Sequence, residues 1–259
     1  MSTLSATVAG IGFWSDGLPD WAAARAFARD GSLPADAPAK PSPHLLAPNE
    51  RRRAPPSVAV ALDVALAACQ GAGRDPASLS SVFASTHGDL GITDYMCATL
   101  ADTPTDISPT KFHNSVHNAA AGYWTIGSGC MRTTTAISAY RATFAQGLLE
   151  AMTQLATDAD AVLLVAYDTT ATGLLGTVTH SEGLLGAALV LARDGAGPRL
   201  SATLREGDAP VADGPLARRL QANAMAPMLA LFDALAAGAA SASLPAGAHR
   251  QLALDIAGV

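Results

Sequence analysis

The chain has 259 residues, a net charge of −6 and only 15% charged residues, against about 25% in ordinary domains. That length allows one large domain or two small ones with a real core, and the acidic balance excludes nucleic acid, because phosphate binding needs a basic face. Three scattered cysteines (Cys69, Cys97, Cys130) without a CxxC exclude a disulfide framework. No run of 18 or more uncharged apolar residues predicts a membrane span, and no basic and apolar leader is present at the N-terminus. The expectation is a cytoplasmic protein. Its low charge has two explanations, a surface covered by a partner or an alanine-rich compositional bias.

In chain order, Leu4 to Trp14 reads as a first strand ending at Gly10 and Gly12, and Trp21 to Arg29 as a short helix. Residues 31–48 are rich in Pro, Ala and Ser and read as a loop. Asn49 can cap the next helix, which is firm only from Ser57 to Gly71, where apolar positions recur at helical spacing. Asp75 to Ser80 is a turn, Ser81 to Ser85 a short buried strand, and Gly91 to Ala101 a helix. Ala161 to Ala166 is a continuous apolar strand of the kind covered on both faces. Leu184 to Ala192 and Arg199 to Arg205 are further strands. Leu216 to Ala237 is a helix interrupted near Pro227, and the tail adds a strand from Leu252 to Ile256. Strands alternating with helices predict an α/β layered domain with a largely parallel sheet.

The most informative stretch is Phe112 to Gly147, FHNSVHNAAAGYWTIGSGCMRTTTAISAYRATFAQG. A polar segment with two histidines runs into Ala119-Ala120-Ala121-Gly122. Thr133 to Ile137 is a β-type run. Ser138-Ala139 then passes directly into a helical pattern from Tyr140 to Leu155. A strand that feeds a helix through small residues presents one side chain at the tip, beside unpaired helix N–H groups. Here that residue is Tyr140.

The arrangement resembles the β-ketoacyl synthases of the thiolase superfamily. Ser138-Ala139-Tyr140-Arg141-Ala142-Thr143, with Gln146-Gly147 beyond, matches the segment around their nucleophilic Cys. Ser108-Pro109 and Asn118-Ala119-Ala120-Ala121-Gly122 match their Ser-Pro and Asn-x-Ala-Ala-Gly motifs. FHNSVHNAAAGYW is most similar to the small ketosynthase-like chain-length factors of aryl polyene pathways. The resemblance covers roughly residues 1–193. It implies an α/β, thiolase-like layered fold with the first half retained and the second half truncated. The chain is then a single ketosynthase-like domain over residues 1–259, with 194–259 a divergent, shortened part. Synthases carry two catalytic His in their second half, in His-Gly-Thr and Gly-His-Asn type motifs, and neither motif occurs after Ala192. The nucleophilic Cys is replaced by Tyr140.

Each remaining candidate has a bland reading beside a sharper one. His113 and His117, at i and i+4, could share a helix face as zinc ligands do, but HNSVH lacks the Glu of the H-E-x-x-H pattern. A hydrogen-bonding, structural role is adopted for them and for Asn118 and Gly122, with no metal and no cofactor. Cys130 reads as a buried thiol, with nothing nearby to lower its pKa. A phenol is a poor nucleophile at neutral pH, so Tyr140 reads as a ring filling the space where an acyl thioester would form. Arg51-Arg52-Arg53 sits at a helix start, the wrong end for the dipole, and is either a carrier-protein docking patch or a set of solvated arginines. Asp89, Asp94 and Glu182 have no partner evident from spacing.

The resemblance implies a non-catalytic chain-length-factor subunit paired with a full-length ketosynthase and, through that complex, with acyl carrier protein. The strand Thr133, Thr134, Thr135, Ala136, Ile137 is then the expected contact across the two-fold axis. Phe112, Asn114, Ser115 and Val116 are the expected lining of the partner's acyl tunnel. Two alternatives remain at this point. The chain could be a stand-alone thioesterase or acyltransferase using Ser138 or Cys130 with one of His87, His113, His117 and His180, or it could be a scaffold without a tunnel role.

Overall fold

The two uninterrupted apolar runs of the sequence become strands buried along their whole length, Ala161–Asp168 and Leu185–Ala192. They are the fourth and fifth of eight strands in the computed structural model, which describes residues 3–258. The strands are β1 (Thr3–Ser15), β2 (Ser80–Ala84), β3 (Thr134–Ile137), β4 (Ala161–Asp168), β5 (Leu185–Ala192), β6 (Arg199–Glu206), β7 (Ser241–Gly247) and β8 (Arg250–Ala257). They form one sheet in the order β3-β2-β4-β5-β1-β6-β8-β7.

Side chains alternate across a strand, so a strand that is apolar at every position must be covered on both faces. Val162, Leu164 and Ala166 of β4 face one core, and Ala161, Leu163, Val165 and Tyr167 face the other. The first core is closed by α1 (Trp21–Asp30) and by three helices from later in the chain. The second is closed mainly by α3 (Pro56–Gly71), which comes after the short α2 (Pro48–Arg53). α4 (Leu90–Asp102) and α5 (Pro109–Asn114) lead to α6 (Ala119–Ser128), which joins α3 on the second face. α7 (Thr143–Thr157), α8 (Pro215–Leu220) and α9 (Leu229–Ala237) complete the first. Phe232 of α9 anchors that layer, with ring centroids 5.9 Å from Phe13, 5.8 Å from Trp21 and 6.1 Å from Phe144.

Several expectations need correction. Only β2 pairs in parallel, with β3 and with β4, and the other five pairings are antiparallel. A parallel return needs a long crossover, usually a helix. The β4–β5 connection holds only a 3-10 turn at Leu175–Thr177, so β5 comes back antiparallel.

β1 does not end at its glycines. It runs through them, because a Cβ on Gly10 or Gly12 would overlap the backbone of Ala68 or Val64 in α3. Asn49 lies within α2 and does not cap it, and Arg51, Arg52 and Arg53 occupy that helix's last turn. That is the end where the dipole favours cations.

Two elements escape the sequence pattern. α6 continues beyond the small residues to Gly129, whose φ of 67° ends it. β7 is a Ser/Ala strand containing Pro245, which is tolerated because β7 is an edge. Residues 199–257 supply β6, β7 and β8 with α8 and α9, and extend the same sheet. Among the described residues no helix is long and apolar enough to cross a membrane.

Candidate functional site

β3 ends the sheet and pairs only with β2, from Ser81 opposite Thr134 to Ala84 opposite Ile137. Its outer edge is bare, and its four residues are half-buried. Beyond Ile137 the chain turns on a set of short local bonds. Ser138 Oγ donates to the Thr86 carbonyl at 2.9 Å, the Ala139 N–H donates to Thr143 Oγ1 at 2.9 Å, and Thr143 Oγ1 donates to the Tyr140 carbonyl at 2.6 Å. A 3-10 turn at Tyr140–Ala142 precedes α7, so the helix proper starts three residues later than its pattern suggests.

At the tip Tyr140 has φ 53°, and only His249 among the other described non-glycine residues shares a positive φ. A left-handed conformation at a residue with a Cβ costs about 1–2 kcal/mol. The elbow therefore keeps a strained backbone at the position where the sequence has a phenol.

The Tyr140 ring is 64% exposed, which corrects the expectation of a plug. It stands at the rim of a cavity of about 380 Å³, beside His87, Arg141, Thr179, His180 and Asn223. The wall contributed by residues 209–245 is mostly Ala and Pro, with Pro210, Ala224, Pro227 and Pro245 among them. Such small side chains do not close over the ring.

Beneath the cavity lies a buried carboxylate that sequence reading passed over. Asp168, the last residue of β4, is 1% exposed. Its oxygens accept from Ser85 Oγ at 2.7 Å, from the Thr86 N–H at 3.0 and 3.1 Å and from the His87 N–H at 3.3 Å. Burial pushes its pKa up and the hydrogen bonds from Thr86, Ser85 and His87 pull the other way, with burial prevailing.

Asn223 ties the same region together. Its Nδ2 donates to the carbonyls of Asp168, Glu182 and Gly183 at 3.3, 3.2 and 3.1 Å, and its Oδ1 accepts from the Met225 N–H at 2.9 Å. His87 Nε2 lies 2.5 Å from Thr179 Oγ1, which holds its ring at the cavity. The only signal available in the sequence was an acid closing an otherwise apolar run.

The other candidates are dispersed. α5 ends at Asn114, so His113 and His117 do not share a helix face. The His113 ring meets Tyr123 edge-on at 5.7 Å, and His117 Nε2 donates to the Ser85 carbonyl at 2.8 Å. Asn118 precedes α6 without a side-chain capping bond, though its carbonyl accepts from the Gly122 N–H at 3.0 Å. A Cβ on Gly122 would meet nothing within 4 Å.

Phe112 and Val116 are exposed, and Ser115 Oγ donates back to the Phe112 carbonyl at 2.8 Å. Asn114 is buried, and its Oδ1 has no hydrogen-bond partner. Asp89 caps α4 and accepts from Ser57 Oγ at 2.7 Å, and Glu182 lies 3.3 Å from His180. Cys130 is 3% exposed, with its S–H toward the Leu79 carbonyl at 3.3 Å. Neither Cys130 nor Ser138 lines the cavity, and each hydrogen goes to a backbone carbonyl instead of an imidazole. That is not the nucleophile–base contact that acyl transfer uses.

Comparison with known proteins places these features. The family model described as "Beta-ketoacyl synthase, N-terminal domain" matches residues 21–250. The fold is similar to a chain of the ketosynthase ApeO in complex with its chain length factor ApeC from Xenorhabdus doucetiae. The TM-score is 0.76 at 23% identity, covering 97% of this chain and 99% of that one. It is similar to a chain of the ishigamide ketosynthase/chain length factor, with a TM-score of 0.75 at 14% identity and coverage of 98% and 99%. A β-ketoacyl synthase from Burkholderia phymatum STM815 gives 0.58 at 16% identity, covering 89% of this chain and 70% of that one. No curated protein matches the sequence. The layered α/β architecture is the thiolase-like, ketosynthase-type fold.

Proposed function

The chain belongs to the β-ketoacyl synthase N-terminal domain family, and from that premise we propose that it is a non-catalytic, chain-length-factor-type subunit. It pairs with a full-length ketosynthase and shapes that partner's acyl tunnel during polyene or fatty-acid-like elongation. The partner supplies the nucleophilic Cys and both His for decarboxylative condensation of malonyl-carrier protein. The observation that carries this reading is the elbow. Its strained geometry is kept at φ 53°, while the residue on it is Tyr140 and not a thiol.

The bare edge of β3 supports pairing of Thr134 to Ile137 across the dimer axis. The exposed Phe112 and Val116 support a tunnel role for the segment after Ser108-Pro109. Arg53, free of the bonds that Arg51 and Arg52 make to His44, Leu46 and Asn49, is the member of the triplet best placed for an acidic carrier protein.

The test is to assemble the complex, block the ketosynthase Cys, add acyl-carrier protein and map acylation by mass spectrometry in wild type and Tyr140→Cys. No adduct on this chain and no turnover from the new thiol is the expected result, because groups of this kind act as a unit. A stoichiometric adduct on Tyr140, Ser138 or Cys130, or turnover from the mutant thiol, would overturn the reading. With the partner's Cys free, Phe112→Trp should shift the product length. An unchanged distribution would reduce the chain to a scaffold.

A further inference from the structure

The cavity beside the elbow has a charge character at odds with the chain that forms it. The protein carries a net charge of −6, yet no Asp or Glu lines this cavity. Its ionisable lining is Arg141, His87, His180 and the Tyr140 phenol. Arg141 is exposed, and neither ion pair among the described residues involves it. Two acids lie just outside the lining. Glu182 is the 3.3 Å partner of His180, with its own side chain 64% exposed. Asp168 is buried beneath the cavity and held by the Ser85 hydroxyl and the Thr86 and His87 N–H groups. Tyr140 to Ala142 also lead into the 15-residue α7, whose N-terminal end carries a partial positive charge.

Most of the remaining lining is apolar, including Val211, Ala212, Ala226, Pro227, Ala230 and Pro245. At about 380 Å³ the volume falls within the roughly 300–1,000 Å³ typical of small-molecule sites. His87 is preset by its contact with Thr179 Oγ1 and by its backbone bond to Asp168.

We propose that this cavity binds a short- to medium-chain carboxylate without reacting with it, the carboxylate at Arg141, His87 and the Tyr140 hydroxyl and the tail against the Ala/Pro wall. The pairing of a cationic end with an apolar end selects an amphipathic anion over inorganic anions and over neutral alkanes. The proposal concerns this chain's own cavity and does not depend on the dimer assignment above.

Calorimetric titration of the full chain, alone or in its complex, with octanoate provides the test. One saturable site per chain is expected, with octanamide and acetate each at least about ten-fold weaker, as the loss of either the charge or the tail requires. Arg141→Gln should weaken octanoate by about ten-fold or more, with Arg141→Lys intermediate. Val211→Asp, at a residue 90% exposed, should do the same by placing an acid on the rim. Both positions are exposed, so thermal melts should match wild type and separate lost binding from lost folding. No saturation at millimolar octanoate would overturn the proposal. So would equal binding of octanamide, or full affinity in both Arg141→Gln and Val211→Asp, since these outcomes report apolar adsorption alone.

Discussion

Asp168 holds its proton more tightly in the folded chain than in the unfolded one, because burial outweighs the four hydrogen bonds it accepts. An unfolded aspartate ionises near pH ~4. Above that pH the unfolded state loses its proton first, so this group's contribution to stability falls as pH rises toward the raised folded value. Denaturant melts of wild type and Asp168→Asn between pH 4 and 7 should therefore show the wild-type advantage shrinking with pH. A growing advantage would mean that the amide donors dominate over burial.

The role of this residue could not be read from the chain. Its partners Ser85 and Asn223 lie 83 and 55 positions away, and no local pattern marks contacts of that separation. Tyr140 was legible as the elbow tip, since strand, small residues and helix are adjacent in sequence. Its exposure was not, because that depends on the Ala/Pro wall supplied by residues 209–245.

Helix α3 lies so close to the sheet that three glycines form its seat. Cβ atoms on Gly10 and Gly12 would meet the α3 backbone, and one on Gly186 would approach Val60 Cγ2 at 2.6 Å. Backbone cannot rotate away as a side-chain tip can, so Gly12→Ala should destabilise the fold by about 1–3 kcal/mol, measured as a lower denaturation midpoint. Gly122→Ala, with open space at its Cβ inside α6, should leave the stability unchanged or raise it by up to about 1 kcal/mol. Equal effects at the two positions would refute the close-approach argument.

β4 and β5 were readable because burial on both faces leaves an unbroken apolar run. Strand direction was not readable. A run such as AVLLVA looks the same whichever way its neighbour points, and the direction was set by the helix-free connection between residues 169 and 184. β7 was hidden for a compositional reason, since Ser, Ala and Pro do not read as a strand away from its edge position.

For the molecule as a whole, the outer edge of β3 is bare, and Phe112, Val116, Ile126 and Met131, from the segments that precede it in the chain, are all exposed. An unprotected edge is a template for association, exposed apolar side chains add to it, and only 15% of residues are charged to oppose it. Expressed alone, the chain should self-associate or precipitate, and co-expression with the proposed ketosynthase partner should yield a heterodimer by size-exclusion chromatography with light scattering. A stable, soluble monomer would count against an obligate interface.

The position of β1 has a consequence on another timescale. It is synthesised before the other seven strands, yet its sheet neighbours are β5 and β6, and β5 starts only at Leu185. At about 5–20 residues per second, roughly 9–34 s of synthesis separate Ser15 from its partner Leu185 in β5. Throughout that interval an apolar strand with mid-strand glycines waits unpaired, and the seat of α3 still lacks Gly186. The chain's need for protection thus begins during translation, well before the β3 edge has formed.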